Sequence, residues 1–471
     1  MTSPDEADAS ALRSLGYAQE LLRDMGGFSN FALSFSIISI LTGAVTLYGH
    51  GLIHGGPRVM LLGWPLVALL TMTVAMSLAQ LASSFPTAGA LYHWSSWLGG
   101  RGLGYITAWL NTVGQFAITA GIDVGLGDFL ADFAGIAAGA RRERLAIYAA
   151  LLALHALLNH LGVRLVARLN QLSAWVHLGG VFAISLALAL FAPHQPASFL
   201  VQRFQAAPGP YLPVFLLGLL QAAWTFTGFD ASAHACEETH DPTRNAPWGI
   251  VLSVAVSGIA GWILLIAVTL AVRDLPAAAA AENPFIYVLT AALGARLGTA
   301  LVAVAMVAMW FCGLASITSN SRMLYAFARD GGLPFSKQLA RVSPSFATPH
   351  VAIWVSAAGA FAIALWADAY EAMIALSTVA LYASYGLPIA AGMLARARGR
   401  WTRRGPWDLG RASLAVNALA LAWIAAAIAL FVAPPNQRAG AVFAGCLVAI
   451  GAAWVLWMRR RFPGPPPLQS K

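Results

Sequence analysis

The stretch Trp224 to Asp241, WTFTGFDASAHACEETHD, decides the fold, because it ends an apolar run in a way that does not suit an unbroken membrane helix. The run enters at Tyr211 and midway carries Thr225, Thr227, Gly228 and Asp230 within six residues. Glycine weakens a helix through its backbone entropy, and a carboxylate in hydrocarbon requires a partner or a water-filled cavity. The reading is a discontinuous helix lining a polar site, a break of the kind that exposes helix-end amides and carbonyls to charged substrates and ions.

Outward from that stretch the chain is apolar throughout. Hydrophobic residues make up 59% of 471 and charged residues 10%, against roughly 25% charged in a soluble domain. A helical span needs about 20 apolar residues. The chain supplies twelve such stretches, at 28–50, 59–83, 102–130, 145–163, 170–192, 211–234, 247–272, 297–328, 348–367, 370–394, 412–433 and 438–458. The predicted fold class is therefore an all-α polytopic membrane protein with 12 transmembrane helices. Residues 1–27 read as an N-terminal tail, 395–411 as a basic loop and 459–471 as a C-terminal tail.

The net charge of +9 is explained by where the arginines lie, without nucleic acid. With a cytoplasmic N-terminus, Arg58, Arg141, Arg142, Arg144, Arg203, Arg273, Arg296 and Arg438 face outward and the other basic residues inward, so both termini are expected in the cytoplasm beside anionic membrane lipid. The Arg141 to Arg144 cluster runs against that rule. Residues 1–27 lack the apolar core of a signal peptide, and Cys236, Cys312 and Cys446 suggest neither a disulfide framework nor a metal site.

Polar residues inside the apolar stretches are the candidate site. In the first, Ser39, Thr42 and Gly43 suggest a second break matching Gly228 in the sixth, a pairing that points to an inverted-repeat transporter. Small and hydroxyl residues also simply let helices pack closely. Asn111 and Gln115 stand one turn apart and either face the site or join helices, while Asp123 reads as an outer gate or vestibule group. His177 is either a proton carrier or a neutral ring bonded to a backbone carbonyl. Ser316, Thr318 and Ser319 either ligate sodium with carbonyls freed in the first stretch or bond back to their own helix. Glu237 and Glu238 read as solvated loop acids or, paired with Arg322, as an inner gate. His50 and His54 share a helical face, read here as interfacial with no metal expected. Phe85 to Gly100 reads as a short structural helix or loop, with Tyr92, Trp94 and Trp97 at the interface.

Three segments carry a resemblance: FTGFDASAHACEETHDPTRNAP from Phe226, PTAGALYHW from Pro86 and SRMLYAFARDGGLP from Ser321. They resemble the signatures of the amino acid–polyamine–organocation superfamily, and are most similar to its amino acid/choline transporter family, which includes GABA and choline permeases. The resemblance spans the chain from about Gly16 to the last helix. It implies a 5+5 inverted-repeat fold over residues 28–394, with repeats 28–192 and 211–394 and broken helices 1 and 6. Two peripheral helices, 412–458, would serve scaffold or homodimer packing. It also implies that Trp224 closes over the substrate, that carbonyls of Thr225, Phe226, Thr227, Gly228 and Phe229 bind an amino group, and that Asp230 serves binding or gate coupling. Leu41, Thr42 and Gly43 fall where relatives carry a Gly-Ser-Gly strip for the substrate carboxylate, and the leucine and threonine depart from it.

The expectation is a secondary active transporter of an amino acid or small amine in the cytoplasmic membrane, working by alternating access with no cofactor. Protons, through His177 and Asp230, are the first choice of coupling ion and sodium the second. A choline or polyamine carrier and an uncoupled exchanger fit the same motifs. A non-transporting sensor is the competitor from another class. An enzyme is not expected, since HExxH, GxSxG and P-loop patterns are absent from the sequence.

Overall fold

Helix covers every one of the predicted apolar stretches in the structure, a computed structural model that describes residues 4–137, 139–366 and 370–468. The predicted end of the ninth stretch at residue 367 and the outermost residues of both tails lie outside the described residues. Among the described residues there is no strand, only an isolated bridge between Met25 and Thr239.

In chain order the helices begin with α1 (Pro4–Arg13), which lies on the bundle, and the interrupted series α2 (Gly27–Ile38), α3 (Ile40–Thr46) and α4 (Tyr48–Gly55). There follow α5 (Trp64–Ser84), the short α6 (Leu91–Gly99), α7 (Arg101–Phe133), α8 (Arg141–His160) and α9 (Val163–Phe191). A second interrupted series comprises α10 (Tyr211–Gly218), α11 (Leu220–Thr225) and α12 (Ala231–His234). Next come α13 (Pro242–Leu270), the short α14 (Leu275–Ala280) and α15 (Pro284–Leu293), then α16 (Ala295–Arg329) and the single turn α17 (Ser336–Leu339). The chain closes with α18 (His350–Trp366), α19 (Tyr370–Ala397), α20 (Ser413–Val432), α21 (Gln437–Ala453) and α22 (Arg459–Arg461).

Local chemistry sets several of these ends. Asn283 and Asp274 cap α15 and α14 by accepting from the amides of Ile286 and Ala277, at 3.1 and 3.0 Å. Helix α13, over the seventh predicted stretch, starts at Pro242, not at Pro247 as the sequence reading has it, because proline suits a first turn. Pro247 then sits inside α13 and cannot donate to the Thr243 carbonyl, which accepts from Ser83 Oγ instead, at 2.7 Å.

The bundle is apolar outside and polar inside. Leu69, Ile259 and Val448 are 70%, 66% and 72% exposed, while Asn111, Gln115, Asp123, His155, His177, Asp230 and Arg322 are buried. That is the reverse of a water-soluble domain and is what a hydrocarbon solvent demands. Eight of the described helical segments are long and apolar enough to cross a bilayer, from Gly27–Thr46 to Gln437–Arg461. The chain is a multi-pass membrane protein. The N- and C-terminal segments meet at one end of it, where a Cβ at Gly16 would stand 2.5 Å from the Pro466 side chain. The C-terminal segment is tied there to α6 and α7 by Trp97 Nε1 donating to the Pro466 carbonyl at 2.8 Å and Arg101 to that of Phe462 at 3.1 Å. The core lies where the two interrupted helices pass α7, α16 and α19.

Candidate functional site

The first interruption is a single residue. Ser39 holds φ 36° and ψ 84°, a left-handed conformation that costs a non-glycine residue about 1–3 kcal/mol. Its surroundings explain why it persists. Ser39 Oγ accepts from the Thr42 amide at 3.2 Å, meets Thr42 Oγ1 at 2.5 Å and lies 2.7 Å from His177 Nε2. His177 Nδ1 donates to the Ser173 carbonyl at 2.8 Å, so Nε2 is the acceptor and the Ser39 hydroxyl donates to it. Because one residue makes the whole turn, the break expected near Ser39 to Gly43 is confined to Ser39, and Leu41, Thr42 and Gly43 are helical. They are the first turn of α3, with the amides of Thr42 and Gly43 held by the Ser39 carbonyl at 2.9 and 3.0 Å. Leu41 faces α9, where a Cβ at Gly180 would meet its side chain at 2.7 Å.

The second interruption is longer, as the sequence indicates. Helix α11 ends at Thr225 and α12 begins at Ala231, with Gly228 at φ 85°. A Cβ at Gly228 would stand 2.2 Å from Ile37, so both conformation and space require glycine. Neighbouring helices take up most of the freed polar groups. Ser34 Oγ donates to the Phe229 carbonyl and receives the Ser232 amide, both at 2.8 Å, and the Gly228 amide donates to the Tyr385 hydroxyl at 3.1 Å. Thr227 Oγ1 donates to the Trp224 carbonyl at 2.6 Å. Among the described residues nothing donates to the carbonyls of Phe226 and Thr227.

The two interruptions touch. A Cβ at Gly43 would be 2.0 Å from Thr225 Oγ1, so only glycine lets α3 approach α11 this closely. Beside that contact is a cavity of about 10 Å³, lined by Ile37, Thr42, Gly43, Trp224, Thr225 and Cys312 among others. A single water needs roughly that much room, so the site is closed around almost nothing in this conformation. Trp224 lies over it with Nε1 donating to Ser377 Oγ at 3.1 Å.

Asp230 is buried and crowded with donors. Its Oδ1 accepts from the Tyr385 hydroxyl at 2.8 Å, and its Oδ2 lies 3.3 Å from Asn111 Nδ2 and 3.2 Å from His234 Nε2. Of the other predicted residues, Gln115 donates to Ser319 Oγ at 3.1 Å and Thr119 meets Ser316 Oγ at 2.6 Å. Thr318 turns elsewhere, donating to Asn159 Oδ1 at 2.7 Å. Ser316 and Ser319 therefore face one turn of α7, where Thr119 also donates to the Gln115 carbonyl at 2.7 Å, while Thr318 is turned to α8.

Beyond α12 the acids are not solvated. Glu238 and Arg322, both fully buried, form a two-point ion pair at 2.9 and 3.1 Å, and Glu237 pairs likewise with Arg329 at 2.8 and 2.9 Å. Burial alone would push the Glu237 carboxyl up, but the charge and hydrogen bonds of Arg329 and the Ala88 amide hold it below its ordinary value. Most of Phe85 to Gly100 is likewise interior, with Tyr92, His93 and Trp94 buried, while Trp97 is half-buried and Gly99 and Gly100 are exposed. The Tyr17 hydroxyl, the Tyr92 hydroxyl and His93 Nε2 meet Asp330 Oδ2 at 2.7, 2.8 and 3.0 Å, and Arg329 stacks 4.0 Å above the Tyr17 ring. Asp123 is no vestibule group, since it is fully buried against His155 at 3.1 Å. Tyr17, His93, His155 and His234 carry no assigned role in the sequence reading, which takes Arg329 and Asp330 only as marks of a helix end and Tyr385 only as a polar contact of the tenth stretch. For His234 a signal was there, in the four-residue spacing from Asp230 that stacks two side chains on one helical face.

A membrane-embedded helical bundle, interrupted twice around one closed polar site, is built like a carrier of small solutes and not like an enzyme. Comparison with known proteins gives the family. The family model described as amino acid permease matches residues 25–458. An amino-acid permease BAT1 homolog of Oryza sativa subsp. japonica is 36% identical, with 96% of this chain and 94% of that protein covered. The amino-acid permease BAT1 of Arabidopsis thaliana is 35% identical, covering 96% and 95%. A GABA-specific permease of Saccharomyces cerevisiae is 26% identical, covering 95% and 83%. The chain belongs to the amino acid permease family of the amino acid–polyamine–organocation superfamily, as its motifs suggest.

Proposed function

We propose that the protein is a secondary active transporter that carries an amino acid or related small amine by alternating access, coupled to protons. The observation that carries this reading is the meeting of the two helix interruptions at Gly43 and Thr225 beside a closed cavity. A substrate ammonium group is received by the unpartnered carbonyls of Phe226 and Thr227 and by Asp230, and a carboxylate by the start of α3 near Thr42. Trp224 closes the site on one side. On the other, Arg322 with Glu238 and Arg329 with Glu237 form the gate.

Twelve spans complete the reading, ten of them, over 28–394, as two inverted repeats, with α20 and α21 peripheral and available for a homodimer. Both termini face the cytoplasm, from the arginine distribution. Protons are favoured over sodium because Thr318 is turned to Asn159, away from the α7 turn that Ser316 and Ser319 face. His177 is hydrogen-bonded as a neutral ring, which leaves Asp230 as the stronger of the two predicted proton groups.

The test is uptake into proteoliposomes of arginine, alanine, glutamate, GABA, choline and putrescine, with and without an inward proton gradient. One compound should accumulate with the gradient, and Asp230→Asn should abolish that accumulation. Binding without accumulation or exchange under any ion gradient would replace the transporter reading with that of a sensor.

A further inference from the structure

His234 lies one helical turn past Asp230, is 1% exposed and has an acceptor on each ring nitrogen. Its Nδ1 is 2.9 Å from the Ala88 carbonyl and its Nε2 is 3.2 Å from Asp230 Oδ2. A carbonyl only accepts, so Nδ1 carries a hydrogen, and a neutral ring would then aim the Nε2 lone pair at a carboxylate oxygen. Two buried acceptors facing each other are unfavourable unless a proton lies between them. His177 is the contrast. Its Nε2 faces a hydroxyl that donates, so that ring is satisfied without an extra proton.

We infer that the Asp230–His234 pair is the site that loads and unloads the coupling proton, and that His234 ties its occupancy to closure of the end bearing the termini. This rests on the transport reading above and deepens it. With the proton present, the ring donates to both Asp230 and Ala88. The Ala88 amide in turn donates to Glu237 Oε1 at 3.1 Å, and Glu237 is paired with Arg329. The proton therefore fastens the 86–90 loop to the interrupted helix and to the gate. When it leaves to water the pair goes from net neutral to one negative charge, and one N–H remains for two acceptors. Either the loop or the carboxylate then loses its donor, and the closed end loosens.

The titratable groups on the elements around the pair are otherwise engaged. Glu237 is held by Arg329, Glu238 by Arg322, His93 by Asp330, Tyr325 by Glu20 and Arg244 by Asp241. Tyr385 donates to Asp230 itself, Cys236 faces the Ser232 carbonyl and Cys312 that of Ile37. Helix α2, packed against α12, carries no titratable side chain.

The experiment uses the purified full chain in proteoliposomes with the substrate found in the uptake panel. It measures proton-driven accumulation, exchange at equal pH on both sides, and proton influx by an internal dye. A one-unit gradient drives about tenfold accumulation per coupled proton. In His234→Gln accumulation should fall to simple equilibration and substrate-linked proton influx should vanish. Exchange should suffer about tenfold less than accumulation. His194→Gln, at an exposed ring that bonds only the Ala189 carbonyl, should keep proton-driven accumulation. His234→Asn serves the same assays if the glutamine variant does not purify as a folded protein. Retained accumulation with proton influx in either His234 variant would overturn the inference while leaving transport intact, as would wild-type accumulation without proton influx. A wild type that neither accumulates nor exchanges would instead overturn the transport reading.

Discussion

The two ends of the bundle are closed in different ways. At the end bearing the termini, the Arg322–Glu238 pair is fully buried, with Arg329–Glu237 and the Asp330 cluster beside it. Helix α7 starts at that end and runs 33 residues, roughly 50 Å at 1.5 Å per residue, to the opposite one. There the ties are exposed: Arg144 meets Asp128 and Asp132, whose side chains are 46% and 41% exposed, and His50 lies 3.5 Å from a Glu371 that is 66% exposed. A buried charge that loses its partner cannot recover its solvation in water, whereas an exposed one can. The opposite end is therefore the one that opens at lower cost from this conformation.

Cutting the buried pair breaks this contrast most severely. Arg322→Gln leaves Glu238 charged in the interior, and the expected loss of stability is about 3–5 kcal/mol, read from thermal or denaturant melts in detergent. Glu238→Gln should cost about as much, and the double variant should recover a large part of the loss. If Arg322→Gln melts like the wild type, the pair closes nothing and the two ends are alike.

How much of this was legible in the sequence depends on how local the cause is. The helical stretches follow from apolar length alone, and the second interruption from Gly228 and Asp230, because glycine and a lone carboxylate disturb a helix wherever they stand. The first interruption was placed within a few residues, but its extent was not. That Ser39 turns the chain alone depends on His177, 138 positions away. Pairing Glu238 with Arg322 was readable as charge complementarity across two helix ends. The burial of those acids was not, since residues 17–25 cover them through contacts such as Gln19 Nε2 to the Glu237 carbonyl at 2.7 Å and the Met25 amide to that of Glu238 at 2.9 Å. Tyr92 reads as interfacial, and its neighbour His93 goes without a role, for the same reason. Their burial comes from Tyr17 and Phe327, on segments that no spacing rule connects to them. Asp123 read as outward because depth was counted along α7, while its partner His155 comes from α8.

A smaller effect separates the ends by pH. Burial holds His93 below its ordinary value, against the pull of Asp330. Burial would raise the Asp330 carboxyl, but His93, Arg329 and Tyr17 together hold it below the usual carboxylate range. As pH falls through about 6.5 the unfolded chain takes up the histidine proton before the folded one does, so the contribution of His93 is complete above that pH and is lost below it. The contribution of Asp330 is lost only in stronger acid, below about pH 4. Stability of the wild type relative to His93→Gln should therefore decline by up to about 1.4 kcal/mol per pH unit below 6.5, in melts run from pH 7.5 to 5. A constant difference across that range would mean that His93 is held there without a protonation cost.

The smallest effect belongs to the opposite end. Arg144 bridges Asp128 and Asp132 at 2.7 and 2.5 Å, and it also donates to the Ile136 carbonyl at 3.1 Å, so the contacts themselves are as short as those at the buried end. If distance decided strength, Arg144→Gln would cost as much as Arg322→Gln. Solvation decides otherwise: both carboxylates are reached by water, and exposed pairs are worth about 0.2–1 kcal/mol and weaken with salt. The expected loss is therefore below about 1 kcal/mol, and it should shrink further as salt is raised from about 0.1 to 1 M, where screening shortens from about 10 to 3 Å. The cost of Arg322→Gln should be nearly unchanged by the same salt. Equal salt sensitivity at the two sites would remove burial as the reason the two ends differ and leave only the number of contacts.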